Sequence, residues 1–349
     1  MFDDDDALPR RRPEGEVDQP NNDAPVPRDE TALADPAPSS APPSKRRRAI
    51  RGLLLTLLVV ILIYYPLGMI LRHQINDDVT FGINSETFTP GASQSVEMAA
   101  ALIEREVDDA GWVPNNPFFY PSAALDNMPN FQEGLRAAIF RFAIELTDQI
   151  GRTRGSGQSD SDLDIASGEL KFPGNVWVWN PSISWLPQST SEQRYRRAVT
   201  HLRRYNERLA SGDSVFDRRA DNLLATLDRF AADMGSASAE IAQHVNDHTG
   251  LFDLAADDLF YNVKGRLYGY HMLLIALEAD FSDVIAEKQL DAVWPQMLES
   301  MRVAATVQPM VVVNGAPDSQ ILPSHLVAQG FYLLRGRTQL REITNILLK

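Results

Sequence analysis

The hydrophobic positions of this chain form one unbroken run, followed by a series of helical patterns. Gly52 to Leu71 are twenty consecutive uncharged positions, and thirteen of them are Leu, Ile or Val. At about 1.5 Å per residue, a helix of this length covers the roughly 30 Å of a bilayer core. Each of the thirteen favours insertion by about 0.3 to 0.6 kcal/mol. The run therefore predicts a transmembrane helix.

The charges that flank this run predict its orientation. Five basic residues precede it, namely Lys45, Arg46, Arg47, Arg48 and Arg51, whereas only Arg72 follows directly. The positive-inside rule then places the N-terminal side in the cytoplasm. A cleaved signal peptide is disfavoured because the preceding region is too long, the apolar run is too long, and no A-x-A-like site follows. We expect an uncleaved signal anchor in a bacterial inner membrane, with the C-terminal domain periplasmic.

The pattern after the run is mostly helical. Apolar residues recur at spacings of three and four, and Ser, Asp and Gly stand at the ends of several segments. Helices are predicted at 93–111, 131–150, 192–209, 218–234, 238–248, 253–281, 282–307 with a kink at Pro295, and from Ser324 onward. One segment, Leu170 to Leu186, has the alternation of a β-hairpin. The predicted fold is mainly α, with one transmembrane helix followed by a helical soluble domain that carries one small hairpin.

Composition defines four segments and excludes some chemistry. Residues 1–44 are acidic and rich in proline, which predicts a disordered cytoplasmic tail. Residues 45–51 are the basic topology signal, 52–71 the anchor and 72–349 the periplasmic domain. The chain has no cysteine, so thiol catalysis and cysteine metal sites are excluded. The net charge of −14 argues against nucleic acid as a partner.

Two blocks in the C-terminal half resemble a known family. They are LFYNVKGRLYGYHMLLIALEADF, from Leu259 to Phe281, and VVVNGAPDSQILPSHLVAQGFYLLRGRTQLREI, from Val311 to Ile343. Both are similar to a proteobacterial family of single-pass membrane proteins, domain of unknown function 2333. The resemblance implies this topology and a Gram-negative inner membrane. It implies no catalytic residues.

Two weak metal motifs are present, although we expect no cofactor. His244 and His248 have the i, i+4 spacing that puts two imidazoles on one helical face, as a zinc site requires, but no Glu follows the first His. Alternatively, they form a polar helix end. Asp160, Asp162 and Asp164 match the first half of a calcium loop, but the Gly and Glu that complete it are missing.

Two groups of residues are candidates for a ligand or partner surface. Trp177, Trp179 and Trp185 could stack on peptidoglycan sugars or lie at the membrane surface if they are exposed, or could pack on the core. The basic residues of segment 192–209, among them Arg196 and Arg203, could bind an anionic partner such as a lipid headgroup or an acidic protein. Alternatively, they pair with carboxylates of this domain.

Sequence motifs do not identify an enzyme. The chain has no G-x-S-x-G, S-x-x-K, P-loop or dinucleotide-binding pattern, and Glu133 and His271 stand outside any catalytic motif. His271 lies in an apolar segment and is predicted to be a core histidine. The leading hypothesis is a non-enzymatic envelope interaction or scaffold protein that contacts the bilayer through its span. The alternative is a peptidoglycan-acting enzyme or sugar-binding module that uses the three tryptophans.

Overall fold

The computed structural model describes residues 45–83, 88–153, 159–179, 185–247, 253–309, 311–315 and 323–349. It divides into two units, residues 1–54 and 55–349. The first helix, α1 (Lys45–Arg72), contains the apolar run, and none of its residues is buried in the protein. Among the described residues, α1 alone is long and apolar enough to cross a membrane, a test that a signal sequence would also pass. The predicted tail, residues 1–44, lies outside the described residues.

Nine further α-helices lie in the described part of the chain after α1. They are α2 (Gln94–Glu104), α3 (Asn127–Thr153), α4 (Ser161–Leu170), α5 (Ser191–Ser211), α6 (Ala220–Asp247), α7 (Leu254–Asp280), α8 (Ser282–Glu287), α9 (Val293–Thr306) and α10 (His325–Leu347). A π-helical turn, Arg105–Asp109, continues α2, and a short 3-10 helix, Pro121–Ala124, precedes α3. The mainly helical class is confirmed.

The centre of the domain is the crossing of α3 and α7, which pack on each other more extensively than any other helix pair described. Two glycines allow their backbones to touch. A Cβ at Gly134 would lie 2.0 Å from the carbonyl oxygen of Asn262, and a Cβ at Gly265 would lie 2.0 Å from that of Phe131. Any side chain at either glycine would therefore push the helices apart.

The remaining helices surround this pair. Helix α10 packs on α6 and α9, α2 packs on α5 and α7, and α4 packs on α3 and α5. Their inner faces form one apolar core, in which Trp294, Tyr195, Tyr205 and Phe260 are fully buried. A domain without cysteine is thus stabilised by apolar burial.

Several local predictions need revision. The hairpin is not confirmed, because residues 170–179 and 185–186 contain no strand and residues 180–184 lie outside the described part. The carbonyl of Val176 instead accepts a hydrogen bond from the backbone N–H of Ser191, the first residue of α5. The carbonyl of Val178 accepts one from the backbone N–H of Gln188, which lies just before α5. The two helices predicted at 218–234 and 238–248 are one helix, α6. The single helix predicted at 282–307 is two helices, α8 and α9, separated by residues 288–292. Pro295, where the kink was predicted, lies in the first turn of α9.

Candidate functional site

The segment that follows α1 is held to the helical domain by three buried side chains, Arg105, Lys264 and Tyr268, which we call the polar anchor. Arg105 Nη2 donates to the carbonyl of Asn76 at 3.0 Å. Lys264 Nζ lies 2.7 Å from Asp77 Oδ2. The Tyr268 hydroxyl donates to the carbonyl of Asp78 at 2.8 Å. Three consecutive residues of the segment are thus each bound by a different side chain of the domain.

Burial determines the electrostatics of the anchor. Arg105 and Glu106 are 5% and 1% exposed and pair at 2.7 Å, and Gln132 Nε2 also donates to the Glu106 carboxylate at 3.1 Å. Burial raises the pKa of Glu106, while the neighbouring guanidinium opposes that shift. Burial likewise lowers the pKa of Lys264, opposed by Asp77. The neighbouring opposite charges therefore favour the ionised forms of Glu106 and Lys264 against the effect of burial.

Arg105 and Glu106 lie in the π-helical turn that continues α2, and Arg105, Glu106 and Val107 are all buried there. Such turns occur frequently at functional sites.

A groove lies beside the anchor. Its volume is about 560 Å³, and its lining combines aromatic, acidic and basic side chains. The residues that line it include Phe81, Phe88, Glu97, Glu104, Arg105, Arg203 and Glu207. The Arg105 guanidinium also stacks over the Phe81 ring, 5.0 Å from its centroid. The groove thus adjoins the segment that leads out of α1.

Aromatic side chains are exposed on a second face, which we call the aromatic surface. Its members are Phe118, Phe119, Tyr120, Trp177, Trp179 and Trp185. Trp179 is 46% and Trp185 77% exposed, with ring centroids 6.1 Å apart. Trp177 is half-buried, and its ring centroid lies 5.6 Å from that of Phe119. Because Trp179 and Trp185 are exposed, they are accessible to a ligand. That the three tryptophans bind a ligand or partner stays a prediction.

The arginines of α5 pair with carboxylates of the domain. Arg203 contacts Glu104 at 2.7 Å and Glu97 at 3.1 Å, and Arg196 contacts Asp108 at 2.7 Å. The hydrogen bond from Arg203 lowers the pKa of Glu104. These contacts agree with the alternative of internal pairing. That Arg196 and Arg203 bind a partner stays a prediction.

The two metal motifs have other contacts in the structure. Asp160 caps α4, and both it and Asp162 pair with Arg208 at 2.6 Å. His244 Nε2 lies 2.7 Å from Asp253 Oδ2, which joins the end of α6 to the residue that caps α7. His248 lies outside the described residues. Among those that are described, no group of three or more metal-ligating side chains is assembled. Whether these motifs bind zinc or calcium stays untested.

The two remaining residues considered from the sequence occupy structural positions. His271 is 4% exposed within α7, and burial lowers the pKa of its imidazole to about 4, as expected of a core histidine. Glu133 pairs with Arg136 at 2.8 Å on α3. Neither lines the groove beside the anchor.

Sequence reasoning missed the polar anchor. Arg105 and Glu106 stand among other charged residues, in IEREVDD, and nothing in that string distinguishes buried charges from solvated ones. A signal did exist at Lys264, which lies next to Val263 and three residues before Leu267, on the apolar side of its helix. A lysine at such a position is an indication of a buried partner.

Comparison with known proteins gives one match. The model of family DUF2333, described as an uncharacterized protein conserved in bacteria, matches residues 52–257. This range begins at the apolar run and ends before Leu259, so both blocks that carried the resemblance lie beyond it. No curated protein and no solved structure matches the chain.

Proposed function

The chain belongs to the bacterial family DUF2333, and on that premise we propose that it is a single-pass inner-membrane protein whose helical domain lies in the periplasm. The observation that carries this proposal is that α1 is apolar over twenty residues and is not buried by the protein. Left in water, such a surface would be strongly unfavourable. The excess of basic residues before the run supports the orientation.

We further propose that the protein acts by binding and positioning rather than by catalysis. The support is that the polar anchor binds consecutive residues after α1, so the domain is held close to the end of the helix rather than on a long tether. A domain placed in this way would present its groove near the membrane surface. An envelope protein or another envelope component would be the ligand.

Membrane integration has a direct test. The protein is expressed at low level in a Gram-negative host, and membranes are extracted at alkaline pH before intact-mass analysis. An uncleaved anchor predicts that the protein stays in the pellet with residues 1–71 still present. Release into the supernatant, or a mass that lacks the apolar run, would show that α1 is a cleaved signal instead.

Binding is tested by photo-crosslinking in cells. A photoreactive residue replaces Phe88 in the groove, and a matched control replaces Val215, which is exposed between α5 and α6 and does not line the groove. A discrete crosslinked product from position 88 but not from 215, identified by mass spectrometry, is expected. The same pattern of products from both positions would argue against a specific partner in the groove.

The sugar-binding alternative retains one supporting observation, the exposure of Trp179 and Trp185. Aromatic rings of this kind stack on the apolar faces of sugars. Co-sedimentation of the detergent-solubilised protein with purified peptidoglycan tests it. Binding that is lost in the variant Trp179→Ala/Trp185→Ala, but kept in Phe331→Ala, would favour this alternative.

A further inference from the structure

The exposed aromatic surface is in contact with the helix proposed to cross the membrane. The hydroxyls of Tyr64 and Tyr65, in α1, donate to the backbone carbonyls of Phe119 at 3.2 Å and Phe118 at 2.7 Å. Gly68 lies against Pro121 so closely that a Cβ there would be 2.3 Å from the proline Cβ. The loop that carries the aromatic residues therefore packs on the side of α1.

The position of this contact along α1 sets the depth of the loop. Tyr64 precedes Leu71, the last residue of the apolar run, by seven residues. Seven residues of helix correspond to about 10 Å. Peripheral segments that lie in the interface bury their apolar side chains about 5 to 10 Å into the headgroup and acyl boundary. The loop would therefore lie at that depth beside the span.

A ring contact joins the loop to Trp177. The ring centroids of Phe118 and Phe119 are 5.5 Å apart, and Phe119 contacts Trp177. Trp179 follows two residues later and contacts Trp185. Large apolar side chains exposed together indicate a surface that binds something. Trp and Tyr are the residues enriched where hydrocarbon meets water.

We infer that the aromatic surface is a second membrane contact, which inserts into the outer leaflet beside the span and holds the domain against the bilayer. This inference rests on the proposed single-pass topology. Contact with α1 favours lipid over sugar as the occupant, because a surface that starts alongside the span is already inside the bilayer. The occupant is therefore the phospholipid of the membrane that α1 crosses.

The absence of cysteine allows a clean test with single labels in the full-length chain. The variants Phe118→Cys and Trp185→Cys place a fluorophore on the aromatic surface. The matched control is Val215→Cys, which is also exposed. Val215 precedes Phe216, whose ring contacts Phe281 at the C-terminal end of α7. Asp258, near the N-terminal end of α7, bonds to Asn130, near the start of α3 and close to the loop. Asp258 and Phe281 are separated by about 35 Å along α7, so the control lies far from the loop.

Each labelled protein is reconstituted in vesicles of phosphatidylethanolamine and phosphatidylglycerol that carry a nitroxide on the upper acyl chain. The inference predicts several-fold stronger quenching at positions 118 and 185 than at 215. Equal quenching at all three positions would overturn it, as would quenching at 118 alone, which would exclude the tryptophans. Protection of position 185 by soluble peptidoglycan fragments, without lipid quenching, would assign the surface to sugar instead.

Flotation of the same vesicles separates the two proposals. If the protein floats with the vesicles but the labels at 118 and 185 are not quenched, the single-pass anchor stands and the second contact is wrong. If the protein does not float, the proposed topology itself fails. Circular dichroism of each labelled variant in detergent checks that the helical fold is retained.

Discussion

Replacement of Arg105 by methionine is expected to destabilise the domain strongly. Arg105→Met removes the guanidinium that donates to Glu106, Tyr268 and the carbonyl of Asn76. It leaves the Glu106 carboxylate 1% exposed, with Gln132 as its remaining side-chain donor. Loss of one partner from a buried ion pair costs about 3 to 5 kcal/mol. We expect a loss in that range at neutral pH.

A second substitution identifies the source of this loss. In Arg105→Met/Glu106→Gln the buried charge is gone as well, and most of the penalty for an unpaired ion disappears. The double variant should therefore be more stable than the single variant. The assay is urea unfolding of the full-length protein in detergent, followed by tryptophan fluorescence, which reports on the buried Trp112 and Trp294 among the five tryptophans.

An exposed pair provides the control. Arg196 and Asp108 are 51% and 41% exposed, so Arg196→Met should change the free energy of unfolding by no more than about 1 kcal/mol. The reasoning would be refuted if Arg105→Met cost as little as Arg196→Met. It would also be refuted if the double variant were less stable than the single one.

Three further predictions use the same unfolding assay. Gly265→Ala should destabilise the protein by about 1 to 3 kcal/mol, because the new Cβ would lie 2.0 Å from the Phe131 carbonyl oxygen. The control Gly168→Ala has open space around it and should be neutral or stabilising. Similar losses of stability in the two variants would contradict the close crossing of α3 and α7. The folded-state pKa of His271 is about 4, below its usual 6.5, so the stability it contributes is present above pH 6.5 and is lost as the pH falls towards 4. Between pH 7 and 5 that loss is about 2 kcal/mol, and it should be absent in His271→Gln; an equal acid sensitivity would contradict burial of the neutral imidazole. Addition of a chelator should leave the unfolding midpoint unchanged, because Asp160 and Asp162 pair with Arg208 and His244 pairs with Asp253; a lower midpoint would support the metal hypotheses.

Local signals predicted much of the helical framework. Ser324 caps α10 and Thr190 caps α5 through side-chain hydrogen bonds to the backbone, and both helices lie close to the segments predicted from apolar spacing. The apolar run likewise coincides with α1. These features depend on residues that are neighbours along the chain, so a sequence pattern can reveal them.

The errors arose where tertiary contacts decide the structure. A helix end was predicted at residue 234, but α6 continues through Gly235, where the Arg337 side chain of α10 packs and donates to the carbonyl of Ala231. The segment around Trp177 has strand-like alternation, yet its carbonyls bond to residues before and at the start of α5. Alternation alone does not supply a partner strand.

The polar anchor and the contact of the aromatic surface with α1 could not be predicted for the same reason. Arg105 lies 29 residues from Asn76, and Tyr65 lies 53 residues from Phe118. No periodicity links residues at such separations. Of the aromatic surface, the sequence identified the three tryptophans. It did not identify Phe118, Phe119 or Tyr120, which lie in the loop before α3.

The most direct test of this account is the sidedness of the chain in its native membrane. Single cysteines are introduced at Ser39, before the apolar run, and at the exposed Val215, after it, and spheroplasts are treated with a membrane-impermeant maleimide. The account predicts labelling of position 215 in intact spheroplasts and of position 39 only after permeabilisation. Labelling of position 39 but not 215 before permeabilisation would reverse the topology and contradict the account.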